Sequence, residues 1–363
     1  MAAYRSVRHL DWALILTAIA LAAIGILQIY SATLDTAWRS AWWKQAVFLC
    51  LGLAAMWIMA RIDYHTLLGQ VPLLYGISLG LLILTPAVGS LVWGSKRWIP
   101  LGFGFKFQPS EFVKLVIVLL VARYLAELKS DRLEGRDLVK LGGLVGLPCG
   151  LVAAQPDLGT SLTYVPIVLA GMFFGGIRWQ HALLTGAAAA LLLPVGWYSL
   201  KDYQKARLET FLDPMKDPAG KGYQVIQSKI AVGAGGIWGR GVARGSQTQL
   251  RFLPVAHTDF IISAFAEEHG FVGVLVVLGL YFLLLMQIIQ NAQAAPDRAG
   301  MSICMGVCSI LLFHLLVNAG MAAGRMPVTG IPLPLMSYGG SSMLSVFMML
   351  GLVNNVRLRR LAA

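Results

Sequence analysis

One aspartate, Asp259 in the run Pro254-Val255-Ala256-His257-Thr258-Asp259-Phe260, stands where a long glycine-rich polar segment meets an apolar stretch. A carboxylate retained at such a boundary bears a solvation cost. It suits general-base chemistry, taking a proton from an attacking hydroxyl. The position also has a plainer use, because the last polar residue before an apolar run can be a helix N-cap. Glu267 lies about 12 Å deeper if the run is one helix, and Gly270 and Gly273 offer a break there.

Three further groups carry charge at apolar boundaries. In Gln108-Pro109-Ser110-Glu111-Phe112-Val113-Lys114, Pro109 suits a first helical turn and Glu111 its positive end. Glu111 and Lys114 are spaced to neutralise each other on one face, so a structural ion pair is the plain alternative to a substrate contact. In Pro156-Asp157-Leu158-Gly159-Thr160, Asp157 can bind substrate or cap the next helix through the N–H of residue 159 or 160. Gly94-Ser95-Lys96-Arg97-Trp98, with Lys106 nearby, is a basic stretch with no acid among residues 88 to 110. Lys96 and Arg97 there can meet an anion, or simply snorkel beside Trp98.

The polar segment from Lys201 to Thr258 reads as a lid. Asp213-Pro214-Met215-Lys216-Asp217-Pro218 is rich in turn formers. Tyr223, Ile226 and Ile230 fall on one face of a short amphipathic helix expected on the membrane surface, and Lys229 on its polar side is a further candidate substrate contact. In Gly233-Ala234-Gly235-Gly236-Ile237-Trp238-Gly239-Arg240-Gly241, missing side chains would let backbone N–H groups approach phosphate oxygens; flexibility alone is the alternative.

The elements that must position these groups are membrane helices. The 363 residues are 57% hydrophobic and 13% charged, with a mean hydropathy of +0.70. The expected class is an all-α polytopic membrane protein of about ten spans, each able to cross roughly 30 Å of hydrocarbon. They lie near Trp12 to Ser31, Trp43 to Ala60, Val71 to Gly89, Glu111 to Leu128, Leu141 to Ala154, Gly159 to Gly176, Gln180 to Leu200, Phe260 to Ile289, Met301 to Ala323 and Ser337 to Val356. Residues 1–363 form one membrane domain, with segment 201–258 as a large extracytoplasmic loop between helices 7 and 8. Arg5 and Arg8 make the first span a retained anchor. With Arg61, the stretch Arg123-Lys129-Arg132-Arg136-Lys140, Arg178, Arg298 and the tail Arg357-Arg359-Arg360, they place both termini in the cytoplasm.

The net charge of +12 is then a topology signal and an attraction to anionic head groups, with no basic soluble face for nucleic acid. Cys50, Cys149, Cys304 and Cys308 sit inside apolar spans and read as buried small side chains. No phosphate loop or dinucleotide fingerprint occurs, and the cytoplasmic loops are too short for an ATP-using domain. The chemistry belongs to the outer face, where an activated lipid phosphate can be its own leaving group.

The strings GSKRWIPLG, QPSEFVK, PDLGT, GYQVIQSKIAVGAGGIWGRG, FLPVAHTDFI, AEEHGFVG and GIPLPLMSYGGSS occur in an order that resembles the SEDS family of shape, elongation, division and sporulation proteins over essentially the whole chain. GSQTQLRFLP and the short tails are similar to its elongation members more than to its division-specific polymerases. His269 and Ala234 depart locally from the family's usual Leu and Ser.

The resemblance implies an inverting peptidoglycan glycosyltransferase of the bacterial cytoplasmic (inner) membrane that polymerises lipid II, the undecaprenyl-pyrophosphate-linked disaccharide peptide. It makes Asp259 the essential aspartate, and Glu111, Lys114, Asp157, Lys96 and Arg97 the other motif residues. Charge developing on the pyrophosphate would be met by Lys96 and Arg97, with help from Lys114 or a divalent cation (Mg or Mn) for which the sequence has no dedicated ligand cluster. The implied partners are a class B penicillin-binding protein, since the chain has no Ser-x-x-Lys nucleophile motif of its own, and other elongation-complex membrane proteins. Interior charges also suit a lipid II flippase, and a scaffold for wall synthesis would explain the fold while leaving the polar motifs unused.

Overall fold

The computed structural model describes residues 9–92, 95–102, 105–128, 130, 132–199, 201–218, 220 and 222–360; Arg5, Arg8, Gly94 and Lys129 lie outside them. The chain begins with helices α1 (Trp12–Thr33), α2 (Ala41–Arg61), the short α3 (Tyr64–Gly69) and α4 (Val71–Val88). Strands β1 (Ser90–Val92), β2 (Ser95–Gly102) and β3 (Phe105–Phe107) follow, then α5 (Pro109–Ala126), α6 (Gly135–Ala154), α7 (Leu158–Leu162), α8 (Val165–Phe174) and α9 (Trp179–Ser199). The intervening segment holds α10 (Asp202–Leu212), α11 (Tyr223–Gly235) and α12 (Ser246–Gln249), and the chain closes with α13 (Ile261–Gln293), α14 (Arg298–Ala322) and α15 (Gly340–Arg359).

Among the described residues, seven helices are long and apolar enough to cross a membrane: α1, α2, α4, α6, α13, α14 and α15. The other three expected spans are helical too, for different reasons less clear-cut. α5 carries Glu111, Lys114 and Arg123 within its length. The run from Gly159 is split into α7 and α8, where Pro166 in the first turn of α8 cannot donate back to Leu162. Tyr164 at this break donates its hydroxyl to the Ser110 carbonyl at 3.0 Å, tying it to the start of α5.

The polar ends separate. Asp11, the N-cap of α1, meets Arg357 at 2.7 Å and Asn291 at 2.7 Å, while Arg359 pairs with Asp63 at 2.8 Å. The start of α1 and the end of α15 therefore share one end of the bundle. At the far end of α1, Ala32 packs with Leu253, Ala256, Phe260 and Ala264, so Asp259 belongs to the opposite end.

α13 is broken at Gly270 (φ 66°, ψ −167°), as the sequence suggests. The break removes the helical partners of the Glu267 and Glu268 carbonyls and of the Phe271 and Val272 N–H groups. The glycine run supplies all four replacements: Arg240 N–H donates to Glu267 O (3.0 Å), Gly241 N–H to Glu268 O (2.9 Å), Phe271 N–H to Gly236 O (2.9 Å) and Val272 N–H to Ile237 O (3.1 Å). Broken backbone inside a bundle is tolerated only when re-satisfied in this way. The run is thus a splint for the kink, which corrects its reading as a phosphate cradle: the N–H groups of Gly239, Arg240 and Gly241 are consumed within the protein. Glu267 continues the same theme, accepting from Gln247 N–H (2.7 Å), Thr248 N–H (3.1 Å) and the Thr248 hydroxyl (2.8 Å).

The face of α11 that packs is also not the expected one. Val225, Ser228, Ala231 and Gly235 are buried, whereas Ile230 is 45% exposed. Small side chains let the backbones approach, and Ser228 Oγ reaches both Ser263 Oγ (2.8 Å) and Ala322 O (3.0 Å). This half of the segment is fastened to α13 and α14 and is not a loose lid.

Gly239 sits at φ +81°, and a Cβ there would run into the Glu268 carbonyl and the backbone at Gly270. Gly239→Ala should therefore lower unfolding stability in detergent by about 1–3 kcal/mol. Gly233→Ala, where nothing lies within 4 Å, should be neutral or stabilising. Equal melting temperatures for the two variants would contradict the splint.

Candidate active site

The basic stretch folds as an antiparallel sheet of order β1-β2-β3, with Ser90 opposite Trp98 and Ile99 opposite Phe107. Ser95 Oγ anchors it to the Gln155 carbonyl at 2.8 Å. Pro100 sits in the central strand, and the register shifts between it and Gly102, where a missing ladder N–H is tolerated. Because successive strand residues face opposite ways, Lys96 and Arg97 part company. Lys96 is exposed, whereas Arg97 turns inward to pair with Asp157 (Nη1 to Oδ1, 2.8 Å), its guanidinium lying over the Trp98 ring at 4.2 Å.

Asp157 does both things the sequence allows. It caps α7, accepting from Thr160 N–H at 3.3 Å, and it binds Arg97 and the Gln108 amide (3.0 Å). A carboxylate only 5% exposed at its side chain needs these partners.

Glu111 and Lys114 form the expected ion pair, 2.8 Å apart, with side chains 4% and 2% exposed. A third group, His314 of α14, completes it. His314 Nδ1 donates to the Pro332 carbonyl (3.0 Å), which leaves Nε2 to accept from Lys114 Nζ at 3.4 Å. One turn further along α14, Asn318 Nδ2 donates to Ile331 O (2.9 Å) and to Asp259 O (3.0 Å). The pair thereby supports the irregular segment between α14 and α15, and that segment supports Asp259. Further bonds hold it: Gln45 Nε2 to Ser337 O (3.0 Å), Ser337 Oγ to Thr258 O (2.6 Å), Tyr338 N–H to His257 O (3.0 Å) and the Tyr281 hydroxyl to the Pro334 carbonyl.

Asp259 does not cap α13. The N-cap is Phe260, and no side chain bonds the helix's first turn. The carboxylate is partly buried and faces Gly330, where a Cβ would stand 3.6 Å from Oδ2. The neighbouring Thr329 carbonyl accepts from Arg207 Nη1 at 3.4 Å. Burial pushes the Asp259 carboxyl above the ordinary aspartate range; Arg207 and Arg97 pull it the other way, and burial prevails. Asp157, Arg97, Arg207 and Asp259 therefore act on one electrostatic site.

Lys229 belongs to α11. It is exposed and lies against Gly324, where an added Cβ would strike its side chain. Sequence reading missed Arg207, His314 and Asn318, whose roles arise from contacts with a segment remote in the chain. Among the described residues no three His, Cys, Asp or Glu side chains gather as metal ligands. Both oxygens of Asp157 are already taken by Arg97, Thr160 and Gln108. Asp157 therefore has no oxygen left over for a divalent cation.

Removing one member of a buried pair strands the other, at a cost of about 3–5 kcal/mol, while replacing both is far milder. Lys114→Met should therefore abolish recovery of folded protein, and Lys114→Met with Glu111→Gln should restore much of it. Gel-filtration yield and melting temperature report the difference; equal behaviour of the single and double variants would contradict the buried pairing.

Comparison with known proteins agrees with this geometry. Residues 11–361 match the family of cell cycle proteins that groups FtsW, RodA and SpoVE. The peptidoglycan glycosyltransferase MrdB of Escherichia coli (strain K12) is 38% identical over 354 residues, covering 97% of this chain and 94% of that protein. A solved chain described under the structural coordination of polymerization and crosslinking by a peptidoglycan synthase complex superposes with a TM-score of 0.83 at 39% identity, covering 97% of this chain and 98% of its own. The crystal structure of the rod shape determining protein RodA of Thermus thermophilus gives a TM-score of 0.72 at 32% identity, covering 97% of each chain. Motif order, buried charges and overall fold thus converge: this chain is a multi-pass membrane protein that belongs to the SEDS family and is of RodA type.

Proposed function

We propose that the protein is a peptidoglycan glycosyltransferase that polymerises lipid II at the outer face of the bacterial cytoplasmic membrane during cell elongation. The observation that carries this reading is the freedom of Asp259 from a capping role, together with its place beside Arg97 and Arg207. The names of its relatives support the same reaction.

In this mechanism Asp259 takes the proton from an acceptor sugar hydroxyl as that oxygen attacks an anomeric carbon. Single displacement inverts the configuration. A carboxyl raised above its ordinary range is a stronger base once ionised, which suits general-base work near neutral pH. The departing undecaprenyl pyrophosphate gathers negative charge, and Arg97, Arg207 and the exposed Lys96 are the cations assigned to receive it. Asp157 orients Arg97. Glu111 and Lys114 act from beneath, as support for the segment behind Asp259. Lys229 is assigned to the substrate at the surface, away from the reacting atoms.

The same proposal includes the topology. Ten crossings put both termini in the cytoplasm and segment 201–258 outside, between helices 7 and 8. The shared end of Asp11, Asp63, Arg357 and Arg359, opposite the site, supports this arrangement. A class B penicillin-binding protein supplies crosslinking, its membrane helix against the apolar spans and its outer domain on segment 201–258. The solved relative described under coordinated polymerization and crosslinking supports such a partner.

Two outcomes are expected in proteoliposomes carrying lipid II. Asp259→Asn should remain folded and lose about two to four orders of magnitude in rate. The wild-type rate should fall on acidification at a pH above the ordinary aspartate value of about 3.9, because the base is lost as pH drops through its raised pKa. Wild-type turnover by the folded variant would sink the assignment. Separately, adding the cognate penicillin-binding protein should raise the polymerisation rate; no association and no rate change would remove the partner from the proposal.

A further inference from the structure

A cavity of about 210 Å³ is bounded by the residues leading into Asp259. Thr36 and Trp38, from the connection between α1 and α2, form one wall; Thr248, Arg251 and His257 form another. It shares no lining residue with the group of Arg97, Asp157 and Arg207. The electrostatic site and this cavity therefore adjoin the same turn, and the cavity differs in setting aromatic rings beside its one arginine.

His257 is the informative side chain. Its ring packs against Trp38, centroids 5.3 Å apart, and against Tyr338 at 6.0 Å, while its carbonyl accepts from Tyr338 N–H at 3.0 Å. Among the described residues no hydrogen bond engages either ring nitrogen. Burial lowers its pKa to about 4, so the imidazole is neutral near pH 7 and offers one donor and one acceptor. Trp38 keeps 43% of its surface exposed. The backbone at Arg251 (φ 63°) and Val255 (φ 51°) is left-handed without glycine, a conformation that persists where surrounding structure imposes it and that clusters at ligand clamps.

A partly exposed indole beside a neutral, unengaged imidazole is suited to a sugar: the ring's C–H face lies on the indole and a hydroxyl bonds the imidazole. A phosphate would engage Arg251 alone and leave the indole and the imidazole unused, and a lipid chain would leave the imidazole unpaired. We propose that this pocket holds one hexosamine ring of the glycan beside the reacting centre, stacked on Trp38 and hydrogen-bonded to His257. The proposal rests on the polymerase reading and adds to it a carbohydrate subsite separate from the pyrophosphate-facing cations.

The test uses the purified full chain and two probes, the lipid-free GlcNAc–MurNAc disaccharide and lipid II. Saturation-transfer NMR should detect contact between wild type and the disaccharide, retained in Trp38→Phe and reduced about tenfold in Trp38→Ala. His257→Phe keeps the ring packing and removes the nitrogens, so it should lose the contact without losing fold, which a merely structural histidine would not do. In the lipid II arm, a raised KM with kcat nearly unchanged identifies the incoming precursor as the source of the ring. Shortened products at unchanged KM identify the growing strand. Polymerisation by wild type with undiminished disaccharide contact in folded Trp38→Ala and His257→Phe overturns the pocket alone. Loss of that contact in both variants, with no polymerisation by wild type, upholds the sugar pocket and removes the polymerase reading.

Discussion

An ammonium group without water around it must be neutralised, and the burial of Lys114 imposes that requirement at the centre of this protein. Glu111 provides the charge and His314 the remaining acceptor. The consequences spread outward because His314 and Asn318 lie on one face of α14 and both grip the irregular segment before α15. That segment in turn receives the Asp259 turn, through Asn318, Ser337 and Tyr338. A charge pair inside the bundle thus fixes the main chain of a carboxylate at its end, without touching the carboxylate itself.

Precision at Asp259 matters because its own surroundings are irregular backbone. Such segments hold position only when their N–H and C=O groups are paired. Here α2, α13 and α14 contribute Gln45, Tyr281 and Asn318 for that purpose, and the glycine run repairs the kink of α13. Side chains on rigid helices therefore set the geometry of a site built from loops. This organisation suits a reaction in which a misplaced base forfeits most of its effect.

The helices were legible because length and continuous apolarity are local properties, and the expected spans are found as helix within several residues, the one from Gly159 being split into α7 and α8. Asp259, Asp157 and the Glu111–Lys114 pair were legible for a related reason: charge at an apolar boundary stands out in the chain. The small sheet was not, since its strands include three-residue pieces and its middle carries Pro100 and two basic residues instead of an apolar alternation. The glycine run was misread because its partner is Gly270, and only the folded chain puts the two together. Lys96 and Arg97 looked like one basic pair, but the pleat of β2 sends them to different surroundings. Arg207 and His257 gave no local signal, as their neighbours come from the α14–α15 segment and from the α1–α2 connection.

The distinction between bond formation and transport bears most directly on this account, since buried charges serve either. The deciding measurement places the purified protein alone in liposomes with lipid II and follows both glycan product and lipid II accessibility on each leaflet. The account predicts glycan strands made without any other polymerase and released undecaprenyl pyrophosphate in step with them. Lipid II that changes leaflet with no glycan formed would contradict it.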